Sequence, residues 1–240
     1  MDQLQEMPTD FQRVLAIVAH PDDLEYGASA AIATWTDAGK EVVYLLVTRG
    51  EAGIDSIDPA ECGAIREAEQ LAAAACVGVD VVEFLDHRDG VIEHSLELRR
   101  DLAAAIRRHR PELVVTLNHH DTWFGQNWNS PDHRNTGRAV FDAVGDAGNR
   151  WIFPDAMPAD GEPWGGVRWI AVSGSAHATH AVAVETGLER AIASLEAHAT
   201  YLQALGGEMA DARGVLTNTA NSTAERFGGR PATAFELVST

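Results

Sequence analysis

The sequence is poor in cysteine and has no long hydrophobic run. Its 240 residues include only two cysteines, Cys62 and Cys76, which are too few for a disulfide framework or a cysteine-rich zinc site. The longest apolar runs, VLAIVA and VVYLLV, are far shorter than the roughly 18–20 residues of a membrane-spanning helix. The N-terminus lacks a basic segment followed by an apolar one. We therefore expect no secretory signal and a cytoplasmic protein.

Basic residues are also scarce, and this limits the kinds of partner that the protein can bind. The chain has 18 Lys and Arg residues against 36 Asp and Glu residues, for a formal net charge of −18. Nucleic acids and anionic membranes are both bound largely through Lys and Arg. We therefore expect neither as a partner. The negative charge instead favours a divalent cation and tolerates a small neutral or cationic molecule.

What the sequence does contain is an alternation of short apolar runs with longer helix-like segments. The apolar runs are rich in β-branched residues, which is typical of parallel strands covered on both faces. These runs are 13–20, 41–48, 80–86 and 112–118. The alternation predicts a doubly wound α/β fold, which is a Rossmann-like three-layer sandwich with a mostly parallel sheet. Since no linker or repeat interrupts the chain, we expect one domain over residues 1–240.

The segment 119–135 departs from this alternation. It is rich in His, Asn and aromatic residues without periodicity, so we predict a long loop there. Its aromatic residues Trp123, Phe124 and Trp128 either wall a binding pocket or anchor the loop to the sheet. The rest of the chain predicts a helix near 136–146, two strands, a helix near 186–205 and a small polar tail after 206.

Polar clusters follow each of the four predicted strands. In strand order these clusters are His20–Asp23, Thr48–Gly53, Asp86–Gly90 and the loop 119–135. Open α/β sheets bind their ligands beyond the carboxyl ends of the strands. We therefore expect the functional site at this one edge of the sheet.

The first cluster, His-Pro-Asp-Asp, places two carboxylates side by side. This is unfavourable unless a cation lies between them or each has its own role. His20 and Asp23 are three residues apart at a turn into a helix, so both can face one metal ion. Catalytic zinc sites take three protein ligands and leave one position open, and His133 is a candidate third ligand. Asp22 would then face the activated water as a general base.

Two alternatives stay open on the residues alone. The His-Pro-Asp-Asp segment is also typical of a turn in which an Asp side chain caps the following helix. In addition, spacing does not determine which histidine is the third ligand. Other histidines are equally available on this criterion, namely His119, His120, His177 and His180.

Six segments spread over nearly the whole chain carry a resemblance to a known family. In order, they are AHPDDLEYG, VTRGEAG, IREAEQLAAAACVGV, FLDHRDG, RPELVVTLN with SPDHRNTGRAV, and LERAIASLEAHATYLQAL. They resemble the signatures of the PIG-L/LmbE-like zinc-dependent N-acetylglucosaminyl deacetylases. The resemblance implies that His20, Asp23 and His133 bind Zn2+ and that Asp22 is the general base.

The same resemblance implies where the substrate is contacted. Arg66 and Asp89 correspond to family residues that contact sugar hydroxyls, and a guanidinium facing a carboxylate suits a vicinal diol. For each of these two residues the alternative is a surface ion pair with no functional role.

The chain departs from the family pattern at Ser130. The family commonly has a histidine there, which is thought to polarise the substrate carbonyl or to handle a proton. Ser130 can donate one neutral hydrogen bond to a substrate but cannot supply an imidazolium. Alternatively, another histidine takes that place in space, and the candidates are His119, His120 and His180. The glutamate that follows the HPDD segment in the family is Leu24 here, with Glu25 one position later.

These observations predict a zinc-dependent hydrolase that removes an N-acetyl or other N-acyl group from an N-acetylglucosamine-type conjugate. The expected partner is thus a small amino-sugar molecule, and a homo-oligomer is compatible with the sequence. A non-catalytic member of the fold that binds a metal or a sugar is the main alternative, and Ser130 motivates it. A non-haem Fe(II) oxygenase also uses two histidines and one carboxylate, but such sites usually lie in β-sandwich barrels.

Overall fold

The computed structural model describes residues 3–240, and a mostly parallel sheet forms the middle layer of this part of the chain. The strands are β1 Gln5–Glu6, β2 Arg13–Val18, β3 Glu41–Leu46, β4 Val81–Phe84, β5 Leu113–Leu117, β6 Thr122–Trp123, β7 Asn127–Trp128, β8 Trp169–Ser173, β9 His180–Ala183 and β10 Ala232–Ser239. The order along the sheet is β1-β9-β10-β8-β5-β2-β3-β4, while β6 and β7 form a separate hairpin. Strand β10 runs antiparallel to β8 and β9, whereas the other pairs in the main sheet are parallel.

Helices cover both faces of the sheet. They are α1 Asp23–Gly27, α2 Ser29–Asp37, α3 Pro59–Cys76, α4 Leu96–His109, α5 Pro131–Ala147, α6 Leu188–Glu196, α7 Ala199–Leu205 and α8 Ala212–Ala224. Helices α4 and α5 share one hydrophobic core, and α2, α3, α6 and α8 contribute to the core on the opposite face. The predicted three-layer α/β sandwich is confirmed. None of the described helices combines the length and apolar character that a bilayer crossing requires.

Strand β2 is an internal strand of the sheet. Its surroundings explain why a functional site can form at its carboxyl end. It pairs in parallel with β3 on one side and β5 on the other. Its side chains alternate between the two cores: Val14, Ala16 and Val18 face one, and Leu15 and Ile17 face the other. A strand covered on both faces has no solvent-facing side, so the chain can present polar groups only where the strand ends.

Helix α5 begins earlier than the sequence pattern predicts. Its first residue is Pro131, so His133 lies in the first turn of a helix and not in the predicted loop. Ser130 is the N-cap, and its hydroxyl accepts a hydrogen bond from the His133 N–H at 3.1 Å. The first turn lacks apolar periodicity, but a Ser cap followed by Pro at the first helical position is a strong start signal.

The predictions for the last quarter of the chain were also partly wrong. The predicted helix over 186–205 is two helices, α6 and α7, which are separated at His198. The tail after residue 206 is not merely polar, because it contains α8 and the eight-residue strand β10. Helix α8 is rich in Thr and Asn, which have modest helix propensity, and packing against the sheet supplies the stability that its sequence does not predict.

Arg107, in the last turn of α4, organises the segment that connects α5 to β8. Its side chain is fully buried. The guanidinium donates to a series of backbone carbonyls from that segment, at distances of 2.7–3.2 Å: Asp146, Ala147, Asn149, Ile152 and Phe153. The five N–H donors of a guanidinium let one side chain bond several carbonyls at the end of α5 and in the following segment at once.

We expect Arg107→Met to lower the free energy of unfolding by at least about 2 kcal/mol, because five carbonyls each lose a hydrogen bond from the guanidinium. Urea unfolding followed by circular dichroism measures the change. Arg108→Met is the matched control, since Arg108 lies next in the chain, is half-exposed and pairs with Glu83 at the surface. Its loss should stay below about 1 kcal/mol. Equal losses for the two variants would contradict the role given to Arg107.

Candidate metal centre and active-site pocket

The chain leaves β2 through a tight turn that brings two carboxylates together. Asp22 has a φ of 91°, an uncommon conformation for a residue other than glycine. Its backbone N–H donates to Oε1 of the buried Gln70 at 3.1 Å, which helps to hold this conformation. The His20 N–H donates to Oδ2 of Asp23 at 2.9 Å, and Asp23 is the first residue of α1. The turn therefore aims both carboxylates beyond the sheet edge.

Three side chains at this edge could hold a metal ion. One ligand atom from each of His20, Asp23 and His133 lies within 4.8 Å of the others. Nε2 of His133 is 3.1 Å from Oδ1 of Asp23, and Nδ1 of His20 is 3.5 Å from Oδ2 of the same carboxylate. Two imidazoles and one carboxylate are a donor set that divalent zinc accepts in catalytic sites. The residues present therefore fit a divalent metal ion.

His133 is oriented by Asn129, a residue that the sequence analysis did not single out. The Asn129 side chain is fully buried, and its Nδ2 donates to the carbonyls of Asn118 and His120. These bonds fix the amide orientation, so its Oδ1 is the atom that faces Nδ1 of His133 at 2.9 Å. Nδ1 must then carry the hydrogen, which leaves the lone pair of Nε2 directed at the metal group.

His20 is oriented by two further carboxylates. Its Nε2 is 3.1 Å from Oδ1 of Asp89 and 3.2 Å from Oδ2 of Asp132. Asp132 is buried, and it accepts hydrogen bonds from the backbone N–H groups of Gly90 and Ile92. His20, Asp89 and Asp132 form a second group whose ligand atoms lie within 4.8 Å of one another. Asp132 stands beside His133 in the sequence, but nothing in the sequence pattern indicates that it faces His20.

The two neighbouring carboxylates have different surroundings. Burial would raise the pKa of Asp23, but the imidazoles of His133 and His20 hold it well below its usual range. Burial raises the pKa of Asp22 to about 6, and Arg66 beside it acts in the opposite direction. Nη2 of Arg66 is 3.2 Å from Oδ1 of Asp22. Asp22 therefore has a guanidinium as its partner, whereas Asp23 lies between two imidazoles.

Arg66 and Asp89 do not face each other. Arg66 is 2% exposed, donates to the carbonyls of Pro21 and Gly50, and stacks on the ring of Tyr201 at 4.0 Å. Asp89 contacts His20 and accepts from the Ala52 N–H at 2.8 Å. Neither residue forms a surface ion pair, because both side chains are buried: Arg66 pairs with Asp22, and Asp89 contacts His20.

The remaining histidines form contacts away from the metal group. The His120 ring lies between those of His119 and His177, at centroid distances of 4.5 and 4.8 Å, and its Nε2 is 2.8 Å from Oε2 of Glu236. His180 lies beside Thr179. Within residues 3–240, the groups that could hold a metal contain His20 or His133 and none of these four histidines.

Glu25 occupies a buried position that the sequence left unassigned. Its Oε1 accepts from Nε2 of Gln70 at 3.0 Å, and its Oε2 is 3.5 Å from Nε2 of His198, which is also fully buried. Leu24, in contrast, belongs to the hydrophobic core. The carboxylate at helix α1 therefore lies one position later than the glutamate of the family pattern. It is hydrogen-bonded to α3 and lies beside His198, where α6 and α7 are separated.

A cavity of about 1000 Å3 opens over the candidate metal group. Asp22, Arg66, Asp89 and Ser130 all line it. The Trp123 ring contributes to its wall and lies edge-on to the ring of His133 at 5.7 Å. The side chains predicted for chemistry and for substrate contact therefore share one pocket.

The aromatic residues of the predicted loop divide between pocket and surface. Phe124 lines the cavity and is 66% exposed. Trp128 is 68% exposed and stacks under the guanidinium of Arg134 at 4.7 Å. Trp123 and Phe124 therefore wall the pocket, and Trp123 also packs against the hydrophobic core, whereas Trp128 stacks on Arg134 of α5 and does not anchor the loop to the sheet.

Known relatives of the chain are sugar deacetylases. The diacetylchitobiose deacetylase of Thermococcus kodakarensis is 33% identical over 148 residues, which are 61% of this chain and 54% of that protein. The 1D-myo-inositol 2-acetamido-2-deoxy-alpha-D-glucopyranoside deacetylase of Kineococcus radiotolerans is 30% identical over 172 residues, with coverage of 56% and 46%. The chain spans about half the length of these curated relatives.

A solved structure and a family match agree with these relatives. The N,N'-diacetylchitobiose deacetylase of Pyrococcus horikoshii superposes with a TM-score of 0.84 and 25% identity, covering 95% of this chain and 84% of that one. The sequence model of PIG-L, described as GlcNAc-PI de-N-acetylase, matches residues 15–144. Because this match spans more than half of the sequence, the chain belongs to the PIG-L family.

Proposed function

We propose that the protein is a zinc-dependent hydrolase that removes an N-acetyl or other N-acyl group from an N-acetylglucosamine-type conjugate. The observation that carries the proposal is the pairing of a three-ligand metal group with a separate buried carboxylate, Asp22, in one pocket. The named activities of the relatives support the same reaction. Residues 1–240 are proposed to form one domain, because one sheet carries helices on both faces.

In this proposal His20, Asp23 and His133 hold the zinc ion. A bound zinc ion supplies Lewis acidity, which lowers the pKa of water and polarises an amide carbonyl. The imidazoles are oriented for this by acceptors on their other nitrogens, Asn129 for His133 and Asp132 for His20. The ligand atoms of the three side chains lie within 4.8 Å of one another, which suits binding to one cation.

Asp22 is proposed to act as the general base. Its carboxylate lines the pocket beside the metal group, and one of its oxygens is held by Arg66. From this position it can accept a proton from the attacking water and return that proton to the amine as the C–N bond breaks. Arg66 thus acts as a positioning residue for Asp22 as well as a lining residue of the pocket.

Asp89 and Ser130 are the proposed polar contacts to the sugar, together with Arg66. The Ser130 oxygen accepts from the His133 N–H, and its own hydroxyl hydrogen stays available for one bond to the substrate. Asp89 offers a carboxylate that is already fixed by Ala52 and His20. The family histidine that Ser130 replaces has no imidazole substitute among the described residues that line this pocket, apart from His20 and His133 themselves.

A non-catalytic sugar- or metal-binding protein remains the alternative that Ser130 motivates. Measuring metal content together with amine release from a panel of N-acetylglucosamine conjugates distinguishes the two. Zinc without amine release on any substrate would favour the binding protein. Homo-oligomerisation and a cytoplasmic location stay predictions.

We expect Asp22→Asn to retain bound zinc and to lose at least about a hundredfold in turnover, because general-base catalysis contributes about 10²–10⁴-fold. Elemental analysis and amine-release kinetics on the same preparation measure both effects. Asp55→Asn, at an exposed position, is the control and should keep full activity. Near-normal turnover by Asp22→Asn would refute the assigned role.

His133→Ala should lower metal affinity itself, since it deletes one of three ligands. Titration of the metal-free protein with zinc, in competition with a chelating dye, gives the dissociation constant. His94→Ala serves as control, because His94 is a half-exposed residue that pairs with Asp142 and belongs to neither candidate metal group. The prediction fails if both variants bind zinc as the unmodified protein does.

Asn129→Leu should weaken zinc binding by about 10–100-fold without removing a ligand, because it frees the His133 ring to rotate and to change tautomer. The same chelator competition measures this effect. The exposed Asn221→Leu is the control for an Asn-to-Leu change elsewhere. The melting temperatures of the metal-free proteins show whether Asn129→Leu also destabilises the fold. An unchanged melting temperature assigns the weaker zinc binding to the freed His133 ring. An unaltered zinc affinity would show that Asn129 does not orient His133.

A further inference from the structure

The segment that carries both carboxylates has the geometry of a type II β-turn. The Asp23 N–H donates to the His20 carbonyl at 3.4 Å, which closes a four-residue turn with Pro21 and Asp22 at its centre. Asp22 has a φ of 91° and a ψ of −24°. These angles are close to the roughly +80° and 0° of the third position of a type II turn. Because φ is positive there, that position usually holds glycine or asparagine.

A type I turn is the form that this local sequence favours. The two turn types differ by a flip of the central peptide group, which here joins Pro21 to Asp22. Type I has a negative φ at the third position and accepts most residues there, and proline at the second position suits both types. The type II form must therefore be held by interactions from outside the turn.

Helix α3 bonds both ends of the central peptide group. Nη2 of Arg66 donates to the Pro21 carbonyl, and the Asp22 N–H donates to Oε1 of Gln70 at 3.1 Å. Arg66 and Gln70 are four residues apart and so share one face of α3, and both are buried. A flip would turn the carbonyl and the N–H away from these partners and leave buried polar groups unpaired. The face of α3 therefore holds the turn in its type II form.

Glu25 fixes the orientation of the Gln70 amide. Both side chains are fully buried, and Nε2 of Gln70 donates to Oε1 of Glu25 at 3.0 Å. A carboxylate accepts a hydrogen bond and a backbone N–H donates one, so only this orientation of the amide satisfies both neighbours. The Ser194 hydroxyl and Nε2 of His198 lie beside the same carboxylate, at 3.4 and 3.5 Å. Gln70 thus has a fixed acceptor atom directed at the turn.

Arg66 is held by packing as well as by hydrogen bonds. Its guanidinium stacks on the Tyr201 ring at 4.0 Å, and it lies so close to Gly50 and Gly53 that a Cβ atom on either glycine would overlap it. Replacing Gln70 therefore removes one of the two bonds to the peptide group while the cation beside Asp22 stays in place. This makes Gln70 the residue through which the turn can be tested.

The turn type determines where the Asp22 carboxylate points. A peptide flip rotates the substituents of the Asp22 Cα atom, so its carboxylate would move relative to Arg66 and the pocket. The first and fourth residues of the turn, His20 and Asp23, keep their places in both types. A flip would thus separate the proposed general base from the metal group without removing a metal ligand.

We propose that Gln70 is a positioning residue for Asp22. Its carboxamide holds the Pro21–Asp22 peptide group in the type II form, and this form keeps the Asp22 carboxylate in the pocket beside the metal group. This role rests on the proposed function of Asp22 as general base. Among the described residues, those that line the pocket do not include Gln70, so it acts through Asp22 and not by contact with the substrate.

Gln70→Leu tests this role in the zinc-loaded full-length protein, with amine release from N-acetylglucosamine and its methyl glycoside as the assay. We expect kcat to fall at least about tenfold and KM to stay within about twofold, because only the general base is displaced. The zinc dissociation constant should stay within about threefold, since all three ligands remain. Gln203→Leu, at an exposed position of α7, is the control and should change none of these values. An unaltered kcat, or a loss of zinc affinity as large as that of His133→Ala, would overturn the proposal.

A reciprocal exchange provides the rescue. Gln70→Glu alone sets two buried carboxylates against each other and should lower kcat as much as Gln70→Leu does. In Gln70→Glu/Glu25→Gln, the carboxylate at position 70 accepts from the Asp22 N–H and from the amide at position 25, with the charge of the buried group unchanged. Its kcat should return to within about fivefold of the unmodified protein. If Gln70→Leu does not fold, this pair of variants carries the test, and a double variant no better than Gln70→Glu would overturn the proposal.

Crystal structures of the same variants measure the turn directly. Gln70→Leu should show a negative φ at Asp22, whereas the double variant should keep the positive φ. If even the unmodified protein hydrolyses no substrate, the proposed function fails, and these φ values still decide whether Gln70 holds the turn. A positive φ at Asp22 in Gln70→Leu would overturn the proposal whatever the activities are.

Discussion

Two adjacent carboxylates, Asp22 and Asp23, are buried at the end of β2, and the rest of the site depends on how their charge is balanced. Removing an ionised carboxylate from water is costly unless an opposite charge lies in contact with it. The protein supplies separate partners: the guanidinium of Arg66 faces Asp22, whereas the imidazoles of His20 and His133 face Asp23 and form with it the group that fits a metal cation. These partners come from the β2 edge, α5 and α3. The interactions that stabilise the buried carboxylates therefore also hold the β2 edge, α5 and α3 around one pocket.

The partners are themselves held by a second set of buried polar groups. Asn129 holds the ring of His133, Asp132 holds that of His20, and Gln70 joins the backbone of Asp22 to the carboxylate of Glu25. Each of these groups has defined donors or acceptors of its own, so the imidazoles have little freedom to choose another tautomer or orientation. These interactions explain why the ligand atoms of His20, Asp23 and His133 converge.

The sequence predicts the strands and the residues of the metal group better than it predicts the residues that orient them. Continuous apolar runs identify β2, β3, β4 and β5, and polar clusters after them identify the functional edge, because both signals are local. The contacts of Asp89 and Asp132 with His20 depend on how the loop after β4 meets α5, which no local pattern encodes. Strand β10 was missed for a similar reason, since its position between β8 and β9 is set by pairing over long sequence separations.

The elements that the sequence leaves unpredicted are also the ones that enlarge the pocket. Helix α8 has modest intrinsic propensity, and it is held in place by Leu216 and Ala220, which pack into the core beneath it. Its outer face is then free to vary without affecting the metal group, which depends on residues between His20 and His133. One fold can therefore keep a constant hydrolytic centre while a separately stabilised helix sets the size and polarity of the cavity beside it. In this chain the part of that wall contributed by α8 and β10 carries no charged side chain.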